Sequence, residues 1–318
     1  MKYDVTALGE LLIDFTPQEK SAAGMKVFEQ NPGGAPGNAL AAVNKLGGKT
    51  AFIGKVGKDM HGEFMVKTLE NAGIETKGII VDENVFTTLA FVSLSETGER
   101  EFSFARKPGA DTCLTKDEVN VDLIKESSIF HVGSLSLTDE PVKSATIFAL
   151  EEAKKAGCIM SYDPNYRAML WPSKEAAIAG MRSVVDFMDV MKISDEETAL
   201  LTDIEDPKGA AEALIAKGLK IVAVTLGKDG AYIATKEGGA IVPGFSSKVV
   251  DTTGAGDSFW GGFLSQLVKS GKKPEDVTLE EAKTFARFGN AVASLCVEKR
   301  GGIPGMPTLE EVQNRLGK

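Results

Sequence analysis

Apolar residues fall along this chain in two alternating rhythms. Short continuous runs give way to longer stretches with apolar positions three and four residues apart. The first rhythm predicts buried strands and the second amphipathic helices, so the chain reads as a series of βα units. Strands are predicted at 3–8, 11–15, 51–56, 78–81, 128–131, 158–162, 190–193, 220–225 and 231–234. Helices are predicted at 35–46, 61–72, 140–156, 174–185 and 279–297. One region has a different texture: 87–94 and 100–105 alternate around a Glu96-Thr97-Gly98-Glu99 turn and predict a β-hairpin. An antiparallel pair inside a βα series is an insertion, expected to join 11–15 and 26–28 in a small sheet. The reading is one α/β domain spanning 1–318, a three-layer α/β/α sandwich around a mostly parallel sheet. A small β-sheet lid is formed by insertions at about 11–33 and 86–108. No repeat, low-complexity tract or linker interrupts it.

The stretch Asp251-Thr252-Thr253-Gly254-Ala255-Gly256-Asp257-Ser258-Phe259 organises the rest. Behind it Phe259, Phe263, Leu264, Leu267 and Val268 recur at helical spacing, and ahead of it Lys248-Val249-Val250 reads as a short strand. A strand, a glycine turn and a helix start follow one another. The first amides of a helix lack internal partners and carry partial positive charge. Gly254 and Gly256 let the backbone approach a ligand, so this terminus suits a phosphate or a developing oxyanion. Asp257 sits awkwardly in such an anion site. It is either a helix cap or a general base that takes a proton from an alcohol while the amides hold a phosphoryl group.

Composition narrows the classes. The chain has 318 residues, 43% hydrophobic and 25% charged, with net charge −9. It is long enough to fold without disulfide or metal. No Lys/Arg block stands out, which argues against nucleic acid as a partner. Cys113, Cys158 and Cys296 are scattered and form no C-x-x-C pair, so they read as small buried hydrophobes. The N-terminus does not read as a signal peptide, and no run approaches the roughly 18 apolar residues of a membrane span. A cytoplasmic protein with no membrane partner is expected. Gly48-Lys49-Thr50 resembles the end of a P-loop, but Val43 stands where the pattern needs glycine, and Gly9-Glu10-Leu11-Leu12 supplies no dinucleotide fingerprint.

Several polar residues admit two readings each. Asp14, inside an apolar run, either faces water on an edge strand or binds a ligand. Ser194 and Glu197 form a capping box, or Glu197 serves an ion. Asp163-Pro164-Asn165-Tyr166-Arg167 follows a strand end, where open α/β sheets bind ligands, or is a plain Asp-Pro turn. Phe102, Phe104 and Arg106 alternate and share a face, for packing or for a substrate. Gly227 and Gly230 serve a β-turn or a ligand.

The Asp251–Asp257 motif resembles the C-terminal signature of the ribokinase-like (PfkB) carbohydrate kinases. Gly33-Gly34-Ala35-Pro36-Gly37-Asn38-Ala39 resembles their N-terminal one. The two stand in the family's order, and the resemblance covers essentially the whole chain. It implies an ATP-dependent sugar kinase in which Asp257 is the base and Gly254, Ala255 and Gly256 donate amides to the transferred group. It implies substrate contacts from Asp14, Gly33, Gly34 and Asn38, and from Asp163, Asn165 and Arg167 around the sugar and phosphate, with Gly33-Gly34 also the lid hinge. Lys192, Thr225 and Gly227 are implied beside the nucleotide phosphates, and Asn290 at the adenine. Glu197 would organise magnesium through water, with Ser194 replacing the family's Asn. Asp251 and Thr253, with carbonyls of 299–304, would hold a monovalent cation such as potassium. The family lid often pairs two subunits, so a homodimer is expected.

The segment 104–111 resembles fructokinases within the family. So do Ser194, the run 161–167 and Leu170-Trp171-Pro172-Ser173. That points to D-fructose phosphorylated at its 6-hydroxyl and raises Arg106 as a substrate contact. The alternative is 2-keto-3-deoxygluconate kinase, whose substrate carboxylate would want Arg106 or Arg167 as partner. A non-catalytic sugar sensor is the remote alternative, against which the intact Asp257 speaks.

Overall fold

The computed structural model describes residues 1–94 and 100–317. The 96–99 turn and the side chain of Phe102 lie outside the described residues. In chain order the elements begin β1 (Tyr3–Leu8), β2 (Leu12–Gln18), β3 (Val27–Gly33), α1 (Ala35–Lys45), β4 (Thr50–Gly57), α2 (Met60–Asn71) and β5 (Glu75–Asp82). The hairpin strands β6 (Thr88–Leu94) and β7 (Arg100–Ala105) come next. The series then resumes with α3 (Val121–Lys125), β8 (Ser127–Val132), α4 (Val142–Ala156), β9 (Ile159–Tyr162), α5 (Lys174–Arg182) and β10 (Val190–Ser194). It closes with α6 (Thr198–Thr202), α7 (Pro207–Ala216), β11 (Ile221–Thr225), β12 (Gly230–Thr235), β13 (Gly238–Pro243), α8 (Ala255–Ser270), α9 (Leu279–Cys296) and α10 (Leu309–Leu316).

Nine strands form one sheet in the order β13-β12-β11-β10-β9-β8-β1-β4-β5. Pairings are parallel from β5 through β11 and antiparallel at β11–β12 and β12–β13. The central strands are apolar nearly end to end because both faces are covered. Leu8, Phe130 and Tyr162 pack toward α4, α5 and α7 on one side. Val5, Phe52 and Ile129 pack toward α1, α8 and α9 on the other. Those two apolar layers make the expected three-layer sandwich.

The remaining strands form a second sheet, β3-β2-β6-β7, antiparallel except for the β2–β6 pair. Both predicted insertions contribute to it.

Residues 248–250 are a correction. They form no strand: Val249 and Val250 are 61% and 53% exposed. The sheet already ends at β13. The amides of Val250 and Asp251 instead donate to Val297 O at the end of α9 (2.7 and 3.2 Å). Helices α7 and α10 were not expected from the periodicity, although each carries a local start signal. Asp206 caps α7 with Pro207 in its first turn, and Thr308 and Glu311 form a capping box on α10.

Candidate active site

The site lies beyond the carboxyl ends of the central strands, where ligands of open α/β sheets bind. Gly254 is the N-cap of α8 with φ 76°, and a Cβ there would stand 2.9 Å from Gly302 Cα. The left-handed turn and this close approach both require glycine. The Ala255 amide donates to Thr252 O (3.2 Å), whereas the Gly254 and Gly256 amides have no partner among the described residues. A Cβ on Gly256 would meet Lys192 Nζ at 2.8 Å, so the ammonium packs directly under the turn.

Asp257 is in the first turn of α8, 8% exposed. Asn38 Nδ2 donates to its Oδ2 at 2.8 Å. Burial is the main force raising its pKa to about 6, and the nearby Asp163 carboxylate adds to it. Lys192, the Asn38 hydrogen bond and Arg167 pull the other way. The result is a carboxyl poised near neutrality, as a general base needs.

Lys192 in the middle of β10 and Asp163 just past the end of β9 pair at 3.0 Å, both buried. That pairing is what keeps a buried lysine charged. Its ammonium pKa stays raised because Asp163, Glu197 and Asp257 together outweigh its burial. Asp163 therefore holds Lys192 and is not among the residues lining the cavity.

A cavity of about 580 Å³ opens in front of Asp257. From the lid and α1 it is lined by Asp14, Gly34 and Asn38, and from the strand ends by Asn165, Arg167 and Lys192. Farther along stand Glu197, Thr225 and Gly227, with Asp251, Thr253 and the 254–257 turn closing the ring. Most residues singled out from the sequence thus meet at one cavity. Asp14 has its pKa raised to about 6, chiefly by burial. Gly33 does not line the cavity, but a Cβ on it would strike Asp14 Oδ2 at 2.5 Å, so it makes room for that carboxylate. Asn165 sits at φ 47°, a left-handed conformation that asparagine tolerates.

Glu197 accepts from Ser194 N (2.8 Å) and Tyr166 N (2.7 Å). The capping box exists and also fastens the 163–167 loop. Asp251 accepts from Thr253 N and Oγ1 through one oxygen and from Gly301 N through the other, tying the turn before α8 to the 299–304 loop. Among the described residues no group of three or more His, Cys, Asp or Glu is placed to hold a metal.

Two expectations are corrected. Arg106 does not face the cavity. It is buried, and its guanidinium donates to Asp111 (2.8 Å), Leu135 O (2.9 Å) and Thr138 Oγ1 (3.0 Å). Asn290 does not line the cavity either, because its amide donates to Val242 O and Pro243 O and so ties α9 to β13. Sequence reading also missed Glu10, a cavity-lining acid that is 2% exposed. It stands beside an apolar run just as Asp14 does, and that signal could have found it.

This arrangement defines a class. The family model of the pfkB family carbohydrate kinases matches residues 2–309, and the chain belongs to that family. Fructokinase-2 of Oryza sativa subsp. japonica is 44% identical over 318 residues, covering 99% of this chain and 94% of that protein. The structure of a fructokinase with bound ATP from Xylella fastidiosa superposes with a TM-score of 0.92 at 33% identity, covering 100% of this chain and 99% of that one. A double-mutant fructokinase from Vibrio cholerae O395, in a fructose, ADP and potassium ion bound form, gives 0.87 at 30% identity, covering 99% and 98%. No described helix is long and apolar enough to cross a membrane.

Proposed function

We propose that this chain is an ATP-dependent fructokinase that moves the γ-phosphoryl group of ATP onto the 6-hydroxyl of D-fructose. One observation carries the reading. Asp257 is a buried carboxyl with its pKa raised to about 6, held by Asn38 and set beside the unpartnered amides of a helix terminus. As the sugar oxygen attacks, its proton passes to Asp257, the new O–P bond forms, and the bond from the γ-phosphorus to the bridging oxygen breaks to leave ADP. The Gly254 and Gly256 amides and the Lys192 ammonium face the charge on the transferred group. Asp14, Gly34, Asn38, Asn165 and Arg167 line the acceptor side and orient the sugar. Asp163 keeps Lys192 charged, and Thr225 and Gly227 line the nucleotide side.

Magnesium supplies charge neutralisation on the phosphates. It keeps several waters and takes few protein carboxylates, so one buried Glu197 fits it. Both Glu197 oxygens accept an amide and retain a lone pair for water. Asp251, through its bonds to Thr253 and Gly301, shapes the loop whose carbonyls would hold a monovalent cation such as potassium. A cytoplasmic setting and a homodimer paired through the lid complete the proposal.

The 2-keto-3-deoxygluconate reading needs a guanidinium for the substrate carboxylate. Arg106 is committed to Asp111, Leu135 and Thr138, which leaves Arg167. The test is ADP release with MgATP over fructose, 2-keto-3-deoxygluconate, ribose, glucose, tagatose and fructose 6-phosphate. Turnover on fructose above all others is expected. Preference for the keto-acid would overturn the substrate, and binding of sugar without turnover would restore the sensor.

A further inference from the structure

Glu10 follows β1 by two residues, where the chain turns from the sheet toward the lid. Its Oε1 accepts the Ala35 amide N–H at 2.8 Å. Ala35 is the first residue of α1, and that helix has no ordinary cap. Gly34 is its N-cap with φ 119° and no side chain, and Pro36 has no N–H to offer. A side chain on Gly34 is barred besides, since its Cβ would stand 2.4 Å from Glu10 O. Glu10 thus grips the helix start with its carboxyl, while its backbone packs close against Gly34. One turn along α1 is Asn38, whose N–H closes onto Gly34 O (3.0 Å) and whose side chain holds Asp257 Oδ2 at 2.8 Å.

We propose that Glu10 is a positioning residue for phosphoryl transfer, gripping the Ala35 amide so that α1 presents Asn38 to the Asp257 carboxylate. The proposal rests on Asp257 being the base. Electrostatics agree with it. Glu10 Oε2 is buried with no hydrogen-bond partner among the described residues. Burial raises the pKa to about 7 although the backbone amides of Glu10 itself and of Ala35 pull it down, with Asp111 adding to the rise and Arg106 opposing it. Raised so far, the carboxyl brings less negative charge into the site than an ordinary glutamate while its Oε1 still accepts the Ala35 amide. The groups that face Asp257 itself are Asp163, Lys192, Asn38 and Arg167, and of these only Asn38 lies on α1.

The test has two readouts on the full chain: sugar kinetics, and the Asp257 pKa followed by carboxyl carbon NMR with no substrate present. Glu10→Met removes the acceptor at similar size. It is expected to lower kcat roughly tenfold to a hundredfold, the cost of a misplaced catalytic group. It should also raise the Asp257 pKa, because a loosened Asn38 donates less well to the charged form. Glu10→Gln keeps an acceptor for Ala35 and mimics the protonated acid, so it should restore both readouts. In an Asn38→Ala background Glu10→Met should add nothing further, since both act through one contact. If Glu10→Met does not fold, Glu10→Asp, one methylene shorter, carries the same expectations.

A Glu10→Met protein with a lower Tm but unchanged kcat and Asp257 pKa would reduce Glu10 to a helix cap. A selective rise in sugar KM for Glu10→Gln would make Glu10 a sugar ligand instead. Either result overturns the proposal. A wild type silent on every sugar would sink the kinase reading, while the NMR titration would still decide whether Glu10 acts on Asp257.

Discussion

A surface aspartate at neutral pH lost its proton three units earlier, but Asp257 is held near the point where gaining and losing one are balanced. That poise works against stability. Its folded pKa, about 6, is above the ordinary 3.8. Its favourable contribution is therefore complete below the unfolded value and is lost as pH rises through about 6. Above that, the native state carries a buried charge that Asn38 and Lys192 compensate only in part. Asp257→Asn should therefore raise Tm by roughly 2 °C or more above pH 7 and show little gain near pH 4. Its kcat should fall by about 10² or more while sugar and nucleotide binding persist. Near-normal turnover in Asp257→Asn would remove it from the base role, and a lower Tm at pH 8 would contradict the cost of its charge. Asp14 and Asp257 were legible because each is out of place in its local pattern, an acid in an apolar run and an acid in an anion turn, whereas Gly34 and Asn38 were reached only through the resemblance of 33–39 to the family signature. The partners of Arg106 and Lys192 were not, because a buried ion pair joins residues that nothing in the sequence links.

Such a pair also decides how the hairpin meets the body. Arg106 follows β7 directly, and its guanidinium is shared among Asp111, Leu135 O and Thr138 Oγ1. Asp111 in turn pairs with Thr88 Oγ1 at the start of β6. Both hairpin strands are thereby pinned at their base to the loop that carries Leu135, a wall of the cavity. Within the fructokinase-like segment 104–111, Phe104 lines the cavity, and Arg106 and Asp111 support it from behind. Arg106→Leu would leave Asp111 buried and unpaired, a cost of about 3–5 kcal/mol. Adding Asp111→Leu should recover much of it, because the stranded charge is gone. Measured unfolding in which the two single changes simply add would refute the pair, and a pure KM effect at unchanged Tm would return Arg106 to the substrate. Element by element, periodicity found the central strands and the longer helices, since burial on one or both faces writes itself into spacing, but it missed the edge strand β13, whose residues are largely exposed. It misjudged 248–250, where an apolar triplet looks like a strand but the backbone of Val250 and Asp251 bonds to Val297 O at the end of α9 and not to a strand.

At the scale of the molecule, both sheets border the cavity, the large one through the residues at its strand ends and the small one through Leu12, Asp14, Thr16, Asn31, Val92 and Phe104. Sequence texture gave the lid its two insertions. It could not give the strand order, which depends on β2 pairing parallel to β6, with Leu12 opposite Thr88. Through that pairing Phe15 and Phe91 stack at 5.1 Å, and Phe28 meets Phe91 edge-on at 6.0 Å. Phe28 and Phe91 are each 37% exposed, Val27 is 39% and Met25 67%. Apolar side chains gathered on one small sheet mark an association surface more often than scattered ones do. If two lids pair there, sedimentation equilibrium should give twice the 33.7 kDa chain mass. Phe91→Glu should shift it to monomer by placing two like charges across the contact. The proposed catalytic groups all come from one chain, so the monomeric variant should keep kcat within a few-fold while its sugar KM rises as the lid loses its support. A wild-type monomer at micromolar concentration would end the dimer proposal. A dimer untouched by Phe91→Glu would move the interface to another face.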